Sequence, residues 1–415
     1  MAPRELSEIQ TAVAAVCLLL APLAAAGLTL TNAGLGRLRN AAHAMMAALC
    51  AIAAAACAYF VLGRSIQGET GAAAHVLMLG GKPWDWLGAM PLFFGGPGAD
   101  LAGWIGLVGA SLAALIPPGS GADRWRLAAV SVSSAILGGL TFPLFAHWTW
   151  GGGWLAQLGY RDPGGAGVIH AVGGLTGLAI TWIVGPRRGK YGSGMPMAIP
   201  GHNAVFVLFG CLLSLVGWLG LNAAGSVIFG GAEAATLPRI AVNTVLSAAA
   251  AALATAAVTR YKYTKPDATL TANGWTAGLV ASSAVCASVP PAAALLIGLI
   301  AGGSVTFTVE LLDLRLEIDD PGGSISVHAL GGLWGIVALG LFGHGNLLAQ
   351  VVGVATLAGF ILPFAWGVNA LMNLRLRQRV AVEGEHQGMD LYELGAGAYP
   401  EVVTHDDHTR QDSID

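Results

Sequence analysis

Asp162-Pro163-Gly164-Gly165-Ala166-Gly167-Val168-Ile169-His170-Ala171-Val172-Gly173-Gly174-Leu175 and Asp320-Pro321-Gly322-Gly323-Ser324-Ile325-Ser326-Val327-His328-Ala329-Leu330-Gly331-Gly332-Leu333 are two copies of one pattern. Each runs Asp-Pro-Gly-Gly, then four residues, then His-Ala-x-Gly-Gly-Leu. An aspartate followed by proline reads as a helix N-cap with proline at the first helical position, where its missing N–H does no harm. The histidine then lies about 12 Å along the helix, at about 1.5 Å per residue. The glycines beyond it leave a small-residue face on which another helix can approach closely.

The surroundings of the two copies are those of a membrane chain. Of 415 residues, 55% are hydrophobic and 10% are charged, against about 25% charged in a soluble domain. The apolar residues form long blocks between short polar loops, as expected where lipid is the solvent. Windows of about 20 apolar residues predict eleven transmembrane helices, near 10–34, 41–63, 100–117, 127–147, 165–185, 203–228, 236–259, 272–288, 291–313, 324–343 and 347–374. The eighth and ninth are divided at Ser288-Val289-Pro290-Pro291, because proline disfavours continuing a helix; a mere kink there would leave ten. The first run, Thr11 to Thr31, is of span length with only Arg4 before it, and is read as a retained helix rather than a cleaved signal.

Lys and Arg collect in cytoplasmic loops. With the amino terminus outside, fourteen fall inside: Arg37, Arg39, Arg124, Arg126, Arg187, Arg188, Lys190, Arg260, Lys262, Lys265, Arg315, Arg375, Arg377 and Arg379. Arg4, Arg64, Lys82, Arg161 and Arg239 fall outside, and Arg410 lies in the distal tail, also inside. The fold class is therefore all-α and membrane-embedded, with a transmembrane domain over 1–374 and a cytoplasmic tail over 375–415. The two copies lead the fifth and tenth spans, so they enter the membrane from opposite sides, and the domain is an inverted five-helix repeat. Such repeats place transport sites near the midplane at their interface, which predicts that His170 and His328 face each other.

A buried ionisable pair in a membrane is costly and usually lines a pathway or a polar cavity. Two satisfied core histidines are the alternative, but a duplicated, symmetry-related pair is harder to explain that way than one stray histidine. His43, His75, His147, His202 and His344 occur singly and are read as packing or interface residues. A neutral imidazole offers one donor and one acceptor nitrogen, which suits a small neutral cargo. An ammonium ion in the membrane interior faces a desolvation cost of order tens of kcal/mol, and losing its proton removes nearly all of it. Cys17, Cys50, Cys57, Cys211 and Cys286 sit in apolar stretches without a CxxC pair, so neither a metal site nor a disulfide framework is indicated. No cofactor is expected. A net charge of −3 with scattered basic residues sets nucleic-acid binding aside, and no HExxH or GxSxG pattern points to an enzyme.

The stretches Ala146-His147-Trp148-Thr149-Trp150-Gly151-Gly152-Gly153, Gly217-Trp218-Leu219-Gly220-Leu221-Asn222-Ala223 and Asp319-Asp320-Pro321 through Gly332 resemble the ammonium transporter (Amt/Mep/Rh) family, as do Ala33 to Arg37 with Asn40, and Gly388-Met389-Asp390 with Gly395 and Ala398-Tyr399. The likeness runs from the first span to the tail. It implies that Trp150 borders an external ammonium recruitment site supported from below by Asp162, that His170 and His328 are the pore pair, and that Trp218 supports the pore lining. It also implies a homotrimer in the cell (inner) membrane and a cytoplasmic face for a PII-type regulatory protein.

Members typically stack two phenylalanines above the histidines and place a serine at the recruitment site. Here Ile105, with Leu101 nearby, and Leu221 align with the gate, and Gly225 takes the serine position, with Ser226 one residue out of register. Trp150 is left as the main aromatic contact for a cation, and Arg161 adds positive charge beside it. Leu394 and Ala396 stand where the family usually has a histidine and a glutamate, which weakens the expectation of a PII partner. Two other functions stay open: an ammonium sensor with little flux, disfavoured because the tail after Arg379 has no room for a signalling domain, and a channel for another small neutral molecule, suggested by the aliphatic gate.

Overall fold

A computed structural model describes residues 6–69, 74–95, 101–192 and 196–399. Arg4, Arg410, the side chain of Lys82 and tail residues 400–415 lie outside the described residues. The chain forms long helices in sequence: α1 (Glu8–Leu35), α2 (Leu38–Gln67), α3 (Leu101–Gly121), α4 (Leu127–Gln157), α5 (Ala166–Val184), α6 (Ala204–Ile228), α7 (Ala234–Tyr263), α8 (Ala268–Val285), α9 (Pro291–Arg315), α10 (Ser324–Phe342) and α11 (Leu347–Asn373). Their ends follow local chemistry. Ser7 and Gln10 make a reciprocal capping box at α1, the Asp267 side chain accepts from Leu270 N at α8, and Asn346 does the same for Ala349 N at α11.

Among the described residues, ten helices are long and apolar enough to cross a membrane; α8 is the one left out. The sequence reading placed a span there, at 272–288. The segment is a helix of 18 residues, but Asn273, Thr276, Ser282 and Ser283 dilute its apolar character, and all four are buried. It packs against α6, α7, α9 and α10, where protein rather than lipid meets its hydroxyls. Ser247 Oγ donates to Gly278 O at 2.9 Å, and Asn222 Nδ2 donates to Ser282 Oγ at 3.0 Å. The chain turns rather than kinks after it: Pro290 is extended and Pro291 opens α9.

One element was not foreseen. The loop between α2 and α3 carries an antiparallel hairpin, β1 (Val76–Leu79) and β2 (Lys82–Asp85), turned by Gly80 and Gly81 at φ 59° and 75°. Two successive positive φ values are what a two-residue hairpin turn demands, and glycine meets them without strain.

The centre of the bundle is set by α5 and α10. A Cβ added at Gly174 of α5 would lie 2.3 Å from Ala329 N of α10, and one added at Gly332 of α10 would lie 2.4 Å from Ala166 O of α5. The two glycines occupy equivalent places in the repeated motif, so each helix presses its smallest face onto the other's first turn. Helices in lipid associate largely through such backbone approach, since burial from water does not drive them together.

After Asn373 the chain folds back as α12 (Val382–Gln387) and α13 (Met389–Leu394), with α13 packed on α2. Asp390 accepts from the backbone N–H groups of His43 and Ala42 at 2.7 and 3.1 Å. His43 Nε2 lies 2.9 Å from Glu393 Oε2, and His202 Nε2 lies 3.2 Å from the Tyr399 hydroxyl. The sequence reads both histidines as packing or interface residues, and both hold the tail against the helices.

Overpacking a tight contact costs about 1–3 kcal/mol and more where backbone is the obstacle. Gly174→Val and Gly332→Val are each expected to lower the thermal midpoint of the detergent-solubilised protein by several degrees or abolish a monodisperse elution profile, whereas Gly359→Val, where nothing crowds the added carbon, should leave both unchanged.

Candidate functional site

Asp162 and Asp320 cap their helices from farther out than the sequence suggested. The chain first turns through Pro163-Gly164-Gly165 and Pro321-Gly322-Gly323, and the helices begin at Ala166 and Ser324. Gly165 and Gly323 sit at φ 87° and 69°, a left-handed step that swings each carboxylate back beneath the first turn. Proline therefore lies in the turn and not at the first helical position. Asp162 Oδ1 accepts from Ala166 N at 2.7 Å, and Oδ2 accepts from Gly167 N and Val168 N at 2.7 and 2.8 Å. Asp320 Oδ2 accepts from Ile325 N and Ser326 N at 3.0 and 3.1 Å, while Oδ1 accepts from Ser120 Oγ at 2.7 Å. Burial pushes the Asp162 carboxyl up to about 6, against the opposing pull of its backbone donors.

This start also corrects the depth of the histidines. His170 and His328 are each the fifth residue of their helix, about 6 Å from its first residue at 1.5 Å per residue. Both lie in a single π-helical turn, Ala166–Ala171 and Ser324–Ala329, the wider winding that recurs at functional sites. The reciprocal crossing of α5 and α10 brings the rings together: His170 Nδ1 and His328 Nδ1 are 3.4 Å apart and the ring centroids 5.4 Å. Trp218 of α6 stacks on His170 at 4.9 Å with planes 8° apart. His170 Nε2 and Trp218 Nε1 are buried without a hydrogen-bond partner.

Two Nδ1 atoms facing each other can make one hydrogen bond only if one ring donates and the other accepts. In a neutral pair the two remaining Nε2 atoms then have opposite characters, one bare and one carrying hydrogen. The arrangement presents a donor and an acceptor, on two buried rings, to a small molecule that can be both.

Trp150 is buried at 4% exposure, and its Nε1 donates to Asp162 O at 2.7 Å. One face stacks on Phe229 at 4.5 Å and 8°, and Phe142 meets it edge-on at 6.1 Å. Sequence reasoning missed both phenylalanines. Phe142 lies two helical turns before Trp150, and Phe229 directly follows the last residue of α6, so their spacing was the available signal. Tyr160 was missed as well. Its hydroxyl is buried without a hydrogen-bond partner, and burial together with Asp162 pushes it up.

Ile105 and Leu221 are both fully buried in the same core, whereas Leu101 is half-buried beside it. At Gly225 a Cβ would lie 2.1 Å from Pro163 O. The turn into α5 therefore occupies the space of a serine side chain, and Ser226 instead approaches Cys286 Sγ at 3.6 Å. Arg161 is exposed, and its backbone is clamped by Gln350, which accepts from Arg161 N at 3.1 Å and donates to Arg161 O at 2.8 Å.

Beside the second motif, Asp319 is held by Arg187 through Nε, Nη2 and the backbone N–H, all at 2.9 Å. Arg187 also donates to Asp123 Oδ2 at 3.1 Å, and Asn40 Nδ2 donates to Asp123 Oδ1 at 2.6 Å. Burial pushes the Asp319 carboxyl up, but Arg124 and Arg187 outweigh it and hold the group at about 2. A carboxyl held below its unfolded value of about 3.9 lends stability that is complete above that value and lost as pH falls through about 2. Acid unfolding should therefore show a loss of about 2 kcal/mol across that window, absent from Asp319→Asn. Asp162→Ala should cost about 1–2 kcal/mol through its lost cap, read as a lower thermal midpoint.

Residues 12–399 match the family model described as Ammonium Transporter Family. The chain is 36% identical to ammonium transporter Amt2 of Archaeoglobus fulgidus, over 94% of its own length and 88% of that protein. It is 31% identical to ammonium transporter Amt2 of Haloferax mediterranei, over 92% and 88%. Among solved structures, a sensor Amt protein is similar with a TM-score of 0.85 at 25% identity, covering 93% of this chain and 98% of that one. Mep2 of Candida albicans, at 24% identity, shares the fold with a TM-score of 0.79, covering 97% and 92%.

Proposed function

The chain belongs to the Ammonium Transporter Family, and we propose that it carries ammonium nitrogen across the cell membrane along a route lined by His170 and His328. It is a membrane transport protein rather than an enzyme. The observation that carries the reading is the buried Nδ1–Nδ1 contact of 3.4 Å between the two histidines. Ammonium reaches the site at Trp150 and gives up its proton, because the charged form faces a cost of order tens of kcal/mol in the bilayer interior; the proton passes to a bare nitrogen of the histidine pair and follows the ammonia inward, so that one positive charge crosses per ammonia. Ammonia, both donor and acceptor, is then matched by the complementary Nε2 atoms. Asp162 acts indirectly. Its carboxylate is occupied by three backbone N–H groups, while its carbonyl fixes the Trp150 indole.

In this reading Ile105 and Leu221 form an aliphatic gate and Trp218 backs the histidines. The amino terminus is outside, and the residues from 375 onward are cytoplasmic and form the face a PII-type regulator would meet. The assembly is a homotrimer. An ammonium sensor is the second reading, favoured by the similarity to a sensor Amt protein.

The test is current on a solid-supported membrane after an ammonium pulse to proteoliposomes. A current in the native protein that vanishes in the His170→Ala/His328→Ala double variant supports electrogenic transport along the histidine route. Ammonium binding without current, and without ammonia-driven alkalinisation of the lumen, moves the assignment to a sensor. Equal currents in both proteins overturn the site.

A further inference from the structure

The loop between α2 and α3 exposes more large apolar side chains than water on every side accounts for. Along β1, Val76, Leu77, Met78 and Leu79 are all between 42 and 66% exposed, so both faces of the strand are bare. A strand with water on one side and protein on the other alternates polar with apolar residues. One that is apolar and uncovered on both faces is a liability in water. The hairpin is nonetheless held in place. Trp84 of β2 packs on Trp154 of α4 at 4.9 Å, Trp148 Nε1 donates to Trp86 O at 2.9 Å, and Trp86 N donates to His75 O at 3.1 Å.

The strap that leaves the hairpin points to what covers it. Gly88 N donates to Ile66 O at 2.9 Å, Met90 N to Ser65 O at 3.3 Å and Phe93 N to Val61 O at 3.2 Å. The chain therefore runs back along α2, from its end at Gln67 towards the middle of the span. With 30 residues, α2 is about 45 Å long at about 1.5 Å per residue. Centred on a hydrocarbon core of about 30 Å, it leaves about 7 Å of each end among the headgroups. Val61 lies about 9 Å from the end, at the edge of the hydrocarbon. This stretch of α2 is itself bare: Phe60, Val61 and Leu62 are exposed on a span that is mostly uncovered by protein.

At that level the strap turns. Phe93 and Phe94 have φ of 57° and 54°, a left-handed conformation that bulky side chains rarely adopt and that only surrounding packing sustains. Phe94 supplies the packing by stacking on Phe60 at 5.8 Å and meeting Tyr59 edge-on at 5.9 Å. Leu92 and Phe93 are left exposed, with Phe93 edge-on to Phe60 at 6.0 Å. The apolar edge of the loop is thus continuous with the bare surface of α2. Trp84 and Trp86 beside it are half-buried, and tryptophan gathers where a membrane meets water.

We propose that this loop is a membrane-surface anchor: Leu92, Phe93 and the side chains of β1 lie among the acyl chains of the leaflet on the Trp150 side and hold the hairpin down over the end of α4. The occupant is lipid rather than a second copy of the chain, because the strap follows a span whose bare side chains sit at the level of the hydrocarbon edge. The inference is independent of what the protein transports, and its test is read without transport.

Hydroxyl-radical footprinting of the unaltered full-length protein in phosphatidylcholine nanodiscs reads the anchor at Met78, since methionine is converted to its sulfoxide where oxidant reaches it. Met197, exposed in the loop between α5 and α6, reports oxidation in water, whereas Met45 and Met46, exposed on α2 within the span, report protection by lipid. Met78 should be oxidised several-fold more slowly than Met197, near the rate of Met45 and Met46. A phosphatidylcholine carrying a diazirine in its acyl chain should, on illumination, label both segment 76–79 and segment 90–93. Oxidation of Met78 as fast as that of Met197 overturns the proposal, because water then covers the strand. Slow oxidation with acyl-chain labelling missing from either segment overturns it too, because protein rather than lipid then covers that segment.

Discussion

Where α5 crosses α10, neither Gly174 nor Gly332 has room for one more carbon, and the obstacle in each case is the other helix's backbone. That mutual approach sets the distance between His170 and His328, because each histidine sits one turn before the glycine that makes the contact. The turn leading into each helix must then be compact. Gly164 N donates to Ser283 O at 2.9 Å and Gly322 N donates to Gly119 O at 3.0 Å, so both turns are also stitched to a neighbouring helix. Two copies of one short pattern produce a central pair whose geometry is fixed by backbone, which leaves the imidazoles little freedom to drift apart.

The polar residues around this centre are placed with little redundancy. Asp162 spends its carboxylate on the backbone N–H groups of its own helix, and Asp320 divides its own between two such groups and the Ser120 hydroxyl of α3. Charge pairing is concentrated beside the second motif, where Asp319, Arg187, Asp123 and Asn40 form a continuous hydrogen-bonded chain that ends at Met389 N, 2.7 Å from Asn40 Oδ1. Buried pairs of this kind add little net stability but are costly to break singly, because the abandoned partner stays buried and unpaired. The chain from Asp319 to Met389 thus ties the approach to α10 to the position of the tail, with no wide gap between its members.

Much of this centre was legible because the pattern was written twice. The equal spacing of His170 and His328 from their aspartates is visible in the letters, and so is the need for small residues at Gly174 and Gly332. What the letters hid was the backbone path. Asp-Pro in most chains starts a helix at proline; here the two glycines that follow permit a left-handed step, which moves the helix start three residues on and halves the expected depth of each histidine. The hairpin was hidden by its brevity, and the anchoring roles of His43 and His202 by the distance in sequence to Glu393 and Tyr399. Single histidines carry no periodic signal, so only their neighbours in space reveal whether they pack or anchor.

The departures from the family pattern share a physical logic. Gly225 cannot bear a side chain while Pro163 O stands 2.1 Å from where its Cβ would be, so the tight entry into α5 and a hydroxyl at that place exclude each other. The proposed recruitment of a cation must therefore lean on aromatic faces. Phe229 covers one face of Trp150, Phe142 approaches its edge, and the Asp162 carbonyl holds its Nε1, so the ring is locked before any ligand arrives. A preorganised ring loses little entropy on binding, and cation–π attraction strengthens as water is removed. In the proposed route, an indole fixed in this way would meet an ammonium ion without help from the Asp162 carboxylate, which is already satisfied by backbone, so giving up the proton would remain the easier way inward.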